Sequence, residues 1–141
     1  MTFLLHTAIG LLILRLFSYN PFLVLILAFL SHWIADMIPH FDLPQMSKKK
    51  KIILGGMDVI FSISLLVSFI VIFSPSIYLA IATFILSLFP DIFYIIEIFT
   101  GKKLLKKIFF DFHLRIQNEF SWGWIVELGF LTTILYFIFS K

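Results

Sequence analysis

The sequence predicts an all-α integral membrane protein, a bundle of about five transmembrane helices plus one amphipathic interfacial helix. Hydrophobic residues make up 61% of the 141 residues and charged residues 13%, whereas an average soluble domain is about half apolar and about a quarter charged. The apolar residues fall into separate runs near the roughly 20 residues that a helix needs to cross the hydrocarbon. Lys and Arg are confined to short clusters beside these runs.

Turn and helix-breaking residues separate the apolar runs. Asn20-Pro21 ends the first run and can begin the second helix, Pro39 follows the second run, and Ser74-Pro75 follows the third. Pro90 lies inside the fourth run. The predicted spans are about 3–17, 22–38, 55–73, 77–99 and 122–139.

Residues 108–120 have a different pattern, in which apolar and polar residues alternate at helical spacing. This pattern predicts the amphipathic helix, lying in the interface or under the bundle. The first run lacks a basic n-region and a small-residue cleavage site, so we expect it to be a retained helix. With no internal repeat or linker, the sequence predicts a single transmembrane helical domain over 1–141.

The basic residues predict the orientation of the bundle. All Lys and Arg except Arg15 and Lys141 lie in the connections after the second and fourth runs, and these connections are therefore expected on the cytoplasmic side. The N-terminus would then be inside and the C-terminus outside a prokaryotic cytoplasmic membrane. Arg15 and Lys141 would reach the outer surface. Basic clusters beside apolar runs suit anionic lipid, and nucleic acid is not an expected partner.

On this topology every acid and every histidine falls in the cytoplasmic half. Asp36, Asp58, Asp91 and Glu127 come from four different predicted helices. An ionised carboxylate within the membrane costs several kcal/mol unless it is paired, hydrated or bound to a cation. Carboxylates that are brought together also repel unless a cation or shared protons neutralise them. A divalent metal with imidazole ligands would both bind the buried carboxylates and neutralise their repulsion. Because the chain contains no cysteine, the ligand atoms would be nitrogen and oxygen.

The spacing of the polar residues favours the same centre. His32, Asp36 and His40 recur every four residues, so they share one face for as long as the helix continues, and His32 with Asp36 forms a chelating pair across one turn. His113 and Gln117 repeat this spacing. For His32 or His113 taken alone, a hydrogen-bonded packing role is an equal alternative.

Three further residues are expected to support the centre. Gly10, one turn beyond His6, would let a neighbouring helix approach closely. Ser62, one turn beyond Asp58, is positioned to donate to that carboxylate. Pro90 has no N–H and frees a carbonyl in the preceding turn, so a break beside Asp91 would open backbone toward the site.

Other polar residues have simpler interpretations. Asp111 and Glu119 fit the solvated face of the amphipathic helix, where they would offset nearby lysines. Glu97 and Asp42 fit positions at the level of the lipid headgroups. The interpretation of a metal centre therefore depends on the set of acids and histidines and not on one residue.

Three short motifs together resemble a known family. The segments SHWIADMIPHFD at 31–42, HTAIG at 6–10 and LFPD at 88–91 are similar to small prokaryotic membrane-bound metal-dependent hydrolases, themselves distantly similar to zinc-dependent phospholipase C. The resemblance implies zinc, one or two ions, with manganese or magnesium as alternatives. The metal ligands that it implies are His6, His32, Asp36, Asp91 and His113.

The sequence therefore predicts a metal-dependent hydrolase, phosphatase-like or phospholipase-like, acting on a lipid phosphate or phosphodiester at the cytoplasmic leaflet. His40, Asp58 or Glu127 would act as the general base, whichever is not a ligand. One alternative is a transporter-like protein that binds cations or protons, since intramembrane acids and a proline-broken helix also describe ion pathways. Another is a structural subunit whose acidic and histidine cluster binds a partner.

Overall fold

The computed structural model describes residues 2–40, 47–93 and 122–140, and these parts of the chain form helices and their connections. The connection after Pro39, residues 108–120 and the predicted ligand His113 lie largely or wholly outside the described ranges. Residues 89–93 are helical after a turn at Leu88. The main helices are α1 (Phe3–Phe17), α2 (Pro21–Asp36), α3 (Lys48–Phe73), α4 (Ile77–Ser87) and α5 (Gly123–Phe139).

Local sequence signals determine the start of α2 and the end of α3. Asn20 caps α2, since its side-chain oxygen accepts from the Leu23 N–H at 3.1 Å, and Pro21 occupies the first turn, where no N–H is needed. Ser74 ends α3 in the left-handed conformation, with φ of 47°, and its N–H donates to the Ile70 carbonyl oxygen.

The central helix is α1, which packs against each of the other four. Its residues Leu5, Ala8, Leu11 and Leu14 are almost completely buried and form the middle of the apolar core. Many large apolar side chains on the other helices face outward, and Val71 of α3, for example, is 73% exposed. The described part of the chain thus has an apolar exterior as well as an apolar core.

The directions of the helices alternate. Arg15, near the end of α1, donates from Nη2 to the carbonyl oxygen of Ser140 at 2.7 Å and stacks over the ring of Phe73 at 4.3 Å. The C-terminal ends of α1, α3 and α5 therefore lie together. The last residue of α2, Asp36, contacts His6 in the first turn of α1, and the end of α4 lies beside the last turn of α2. Consequently α2 and α4 run opposite to the other three helices.

Only one helix in the described residues is long and apolar enough to cross a membrane by length and composition: Ile52–Phe73 within α3, 22 residues. The other apolar helices have between 10 and 17 residues. The break in the fourth run accounts for one of these short lengths, since α4 ends at Ser87, before Pro90. The structure confirms an all-helical fold in its described parts.

Candidate metal centre

Four predicted metal ligands converge at one end of the bundle. His6 lies in the first turn of α1, His32 and Asp36 in the last turn of α2, and Asp91 in the helical residues after α4. His6, His32 and Asp36 are at most 1% exposed, and Asp91 is 9% exposed. The alternating helix directions produce this meeting, because the start of α1 faces the ends of α2 and α4.

The Nε2 atoms of the two imidazoles lie close to the oxygens of both carboxylates. His6 Nε2 lies 3.2 Å from Asp36 Oδ1 and 3.9 Å from Asp91 Oδ2. His32 Nε2 lies 3.3 Å from Asp36 Oδ2 and 3.8 Å from Asp91 Oδ1. The two imidazole rings are stacked, with centroids 4.1 Å apart and planes inclined by 19°. Each carboxylate thus presents one oxygen to each imidazole.

A backbone carbonyl fixes the orientation of His32. Its Nδ1 lies 2.9 Å from the Ser87 carbonyl oxygen, and since a carbonyl only accepts, Nδ1 must carry the hydrogen. The neutral ring therefore has its lone pair on Nε2, which faces Asp36 and Asp91. An imidazole held in this way through its other nitrogen is the usual arrangement of a metal-binding histidine.

The break before Pro90 makes this carbonyl available. In a continuous helix the Ser87 carbonyl would accept from Asp91, but the Asp91 N–H instead donates to the Leu88 carbonyl at 3.0 Å. The prediction that the break opens backbone toward the site is therefore confirmed, and the recipient is His32, a partner that the sequence did not indicate. Hydrogen bonding to the Ser87 carbonyl connects the end of α4 directly to the last turn of α2.

Gly10 allows α1 and α4 to approach each other here, as the sequence predicted. A Cβ at Gly10 would lie 3.0 Å from the Ser87 Cβ and 3.1 Å from its Oγ. Carbon atoms usually pack at about 3.5–4.0 Å, so only glycine fits at this position without displacement. The close contact brings α4 and its carbonyl to the side of α1 that carries His6.

The donor set can hold a metal ion. Ligand atoms of His6, His32 and Asp36 all lie within 4.8 Å of one another, and all three residues are buried. Two carboxylates and two neutral imidazoles facing one another without a cation would set oxygen lone pairs against nitrogen lone pairs, at a high cost in a buried site. A divalent ion or added protons remove this repulsion, and nitrogen with oxygen is a donor set suited to zinc or manganese.

Comparison of the chain with protein-family models, with curated proteins and with solved structures found no match. The resemblance to membrane-bound metal-dependent hydrolases therefore remains a prediction based on the three short motifs. What the structure adds is geometric: His6, Asp36 and Asp91, each from a different motif, lie in one buried cluster.

Two of the predicted general bases contact the backbone of α1. Asp58 of α3 accepts from the N–H of Phe3 through Oδ2 at 2.7 Å and from that of Leu4 through Oδ1 at 3.0 Å. Glu127 of α5 accepts from the Thr2 N–H through Oε1 at 3.1 Å. The two acids satisfy amide groups that the start of a helix leaves without intrahelical acceptors. The sequence placed both acids near the start of predicted spans but gave no sign of this function.

The remaining predicted residues are placed as follows. His40 is completely buried, and its Nδ1 donates to the Ile38 carbonyl oxygen at 2.8 Å, which leaves Nε2 as the basic nitrogen of the neutral ring. His113 lies outside the described residues. The prediction for Ser62 was wrong in its acceptor: its Oγ donates to the main-chain carbonyl of Asp58 at 2.8 Å and not to the carboxylate. A helical serine commonly bonds to the carbonyl one turn earlier.

Proposed function

We propose that this protein is a membrane-embedded, metal-dependent hydrolase of a lipid phosphate or phosphodiester, working at the cytoplasmic leaflet. The observation that carries the proposal is the convergence of His6, His32, Asp36 and Asp91 within 3.2–3.9 Å, from sites widely separated in the chain. Perturbed or paired ionisable residues in an apolar bundle are candidates for a functional site.

A membrane location is supported by the apolar exterior and by the predicted spans. The described helices expose large apolar residues such as Phe61 and Val71, which are 53% and 73% exposed. Such extensive apolar surface is more favourable in lipid than in water. The five-span arrangement, with short helices accommodated by local thinning of the bilayer, is part of this proposal.

Several residues of the chain have distinct roles in the proposed reaction. His6, His32, Asp36 and Asp91 would hold the ion, and the Ser87 carbonyl would keep His32 in the correct orientation. When bound, a divalent ion polarises a phosphoryl oxygen and makes a water more acidic. Zinc is the first candidate, with manganese or magnesium as alternatives.

The three predicted general bases differ in the hydrogen bonds that they make. Asp58 already uses both carboxylate oxygens on backbone amides, and Glu127 uses one. His40 has a basic Nε2, because its Nδ1 donates to Ile38. Exposed basic residues such as Lys49 and Lys50, at the start of α3, would attract an anionic headgroup.

The test is turnover by the purified chain in nanodiscs, on a phospholipid and on a polyprenyl phosphate, with bound metal measured in parallel. We expect His32→Ala and Asp36→Ala to lower turnover by more than about 100-fold. Even the loss of a residue that only hydrogen-bonds to a metal ligand typically lowers metal affinity or activity by about 10–100-fold. Ser64→Ala is the control, because this exposed hydroxyl bonds only to its own helix in the described structure.

Unchanged turnover in both ligand variants would refute the catalytic proposal. A flux of cations into liposomes, without turnover, would instead support the transporter-like alternative. A stable second protein in the native mass of the purified sample would support the structural subunit.

A further inference from the structure

We propose that the centre binds a pair of divalent ions, one held by His6 and the other by His32, with Asp36 and Asp91 bridging them. The inference rests on the proposed function, in that the same four residues form the site. It specifies the arrangement of the centre and, from its charge, the class of substrate.

The stacked imidazoles disfavour a single ion shared by His6 and His32. The lone pair of Nε2 lies in the plane of its ring, so a bound ion must lie close to that plane, at about 2.0–2.1 Å for zinc. The planes of His6 and His32 are inclined by only 19°, and the ring centroids are 4.1 Å apart. An ion placed between the two nitrogens would lie far out of both planes, whereas two ions can each lie in the plane of one ring.

Each carboxylate has one oxygen near His6 and the other near His32, as two bridged ions require. Oδ1 of Asp36 and Oδ2 of Asp91 lie 3.2 and 3.9 Å from His6 Nε2. The other oxygen of each residue lies 3.3 or 3.8 Å from His32 Nε2. The four residues therefore form two triads, each with one nitrogen and two oxygens from different carboxylates.

Each triad has the dimensions of a zinc site with one open coordination position. For metal–ligand bonds of about 2.1 Å, the observed nitrogen–oxygen distances correspond to angles of about 100° to 135° at the ion, which spans the tetrahedral value. Three protein ligands leave a position for water or substrate, as in catalytic zinc sites. The ring centroids lie 4.1 Å apart, close to the separation of about 3.5–4 Å between the ions of two-metal sites.

The charge of the pair defines the substrate class. Two divalent ions with two carboxylates keep two positive charges in a buried site, whereas one ion with the same carboxylates would be neutral. Excess charge in a low-dielectric site demands an anionic ligand. A terminal phosphate monoester, which carries close to two negative charges at neutral pH, balances the pair best. The expected substrate is therefore a lipid with a terminal phosphate.

The experiment measures metal stoichiometry in the purified full-length chain, by equilibrium dialysis against zinc followed by elemental analysis. We expect two ions per chain, and one ion per chain in His6→Ala and in His32→Ala. Ser64→Ala should keep both ions. Manganese-loaded protein should give the electron paramagnetic resonance signal of a magnetically coupled pair, and either histidine variant should give the signal of an isolated ion. Circular dichroism establishes that each variant is folded, and His6→Gln and His32→Gln replace any that is not.

One ion per chain in the unsubstituted protein would overturn the pair, and so would two ions that persist in both histidine variants. These failures are separable from failure of the hydrolase. Metal-dependent turnover with a single ion would refute the pair alone. A coupled pair in a protein that hydrolyses no lipid phosphate would refute the hydrolase alone. Faster turnover of a phosphodiester than of the matching monoester would overturn the substrate class.

Discussion

Asp58 lies on α3 but stabilises the start of α1. Its two carboxylate oxygens accept from the N–H groups of Phe3 and Leu4, at 2.7 and 3.0 Å, and α1 has no side-chain cap of its own. In an apolar surrounding these amides would otherwise be without acceptors. Because His6 lies in the same turn, the carboxylate also determines where this imidazole stands relative to Asp36.

We predict that Asp58→Asn lowers both stability and metal affinity. Asparagine keeps one acceptor oxygen but places an amide NH₂ against the second N–H, so one hydrogen bond to a charged group is lost, worth about 1.5–3 kcal/mol. Thermal unfolding in detergent and zinc titration measure the two effects. Ser64→Ala on the same helix is the matched control, and an unchanged melting temperature in Asp58→Asn would contradict this role.

At the scale of helices, the contact between α1 and α4 positions two parts of the site together. Gly10 lies against Ser87 and Thr83, and the carbonyl of Ser87 bonds to His32. The end of α4 is thus fixed to α1 by steric fit and to α2 by a hydrogen bond. Asp91 follows directly, after the turn at Leu88.

We predict that Gly10→Ala is destabilising despite the higher helix propensity of alanine. Its Cβ would approach the Ser87 Cβ to 3.0 Å, and overpacking of this kind costs about 1–3 kcal/mol. Gly129→Ala is the matched control, because nothing lies within 4 Å of a Cβ there. That variant should gain about 0.5–1 kcal/mol from propensity.

Thermal unfolding and zinc affinity of the two glycine variants give the comparison. Gly10→Ala should bind zinc more weakly, because α4 and Asp91 move away from His6 and His32. Equal stability of the two variants would show that the approach of α1 to α4 is not constrained by Gly10.

At the scale of the whole molecule, the alternating helix directions separate two chemically different ends. The candidate metal centre occupies the end where α1 begins, together with Asp58 and Glu127. The opposite end has Arg15, bonded to Ser140 and stacked on Phe73. In the predicted orientation, which stays a prediction, the end with the acids and histidines faces the cytoplasm.

Single cysteines will test this orientation, and the chain provides a clean background because it contains no cysteine. We expect Lys49→Cys to react with an impermeant maleimide in inside-out vesicles only. Tyr19→Cys and Ser76→Cys, in the connections after the first and third spans, should react in intact cells. All three positions are exposed in the structure. Labelling of Lys49→Cys from outside would reverse the predicted topology.

Much of the fold followed from sequence because its signals are local. Phe3–Phe17 has the bounds that the apolar run and the turn after it predicted, and Asn20-Pro21 begins the next helix as expected. The structure interrupts the predicted fourth run, since α4 ends at Ser87, a turn follows at Leu88, and residues 89–93 are helical again. Pro90 correctly indicated a break in this run, but the effect of the break on helix length depends on tertiary contacts.

By itself, the sequence determined the helical architecture, because apolar runs and turn residues act locally. The candidate ligands came from the resemblance to the hydrolase family. Four of the five predicted ligands lie together, and His113 is outside the described residues. Only the tertiary structure decided the stacking of the imidazoles, the sharing of each carboxylate, and the use of Asp58 and Glu127 as caps. Spacing along a helix gives the face of a residue, whereas contacts between distant helices depend on how their surfaces fit together.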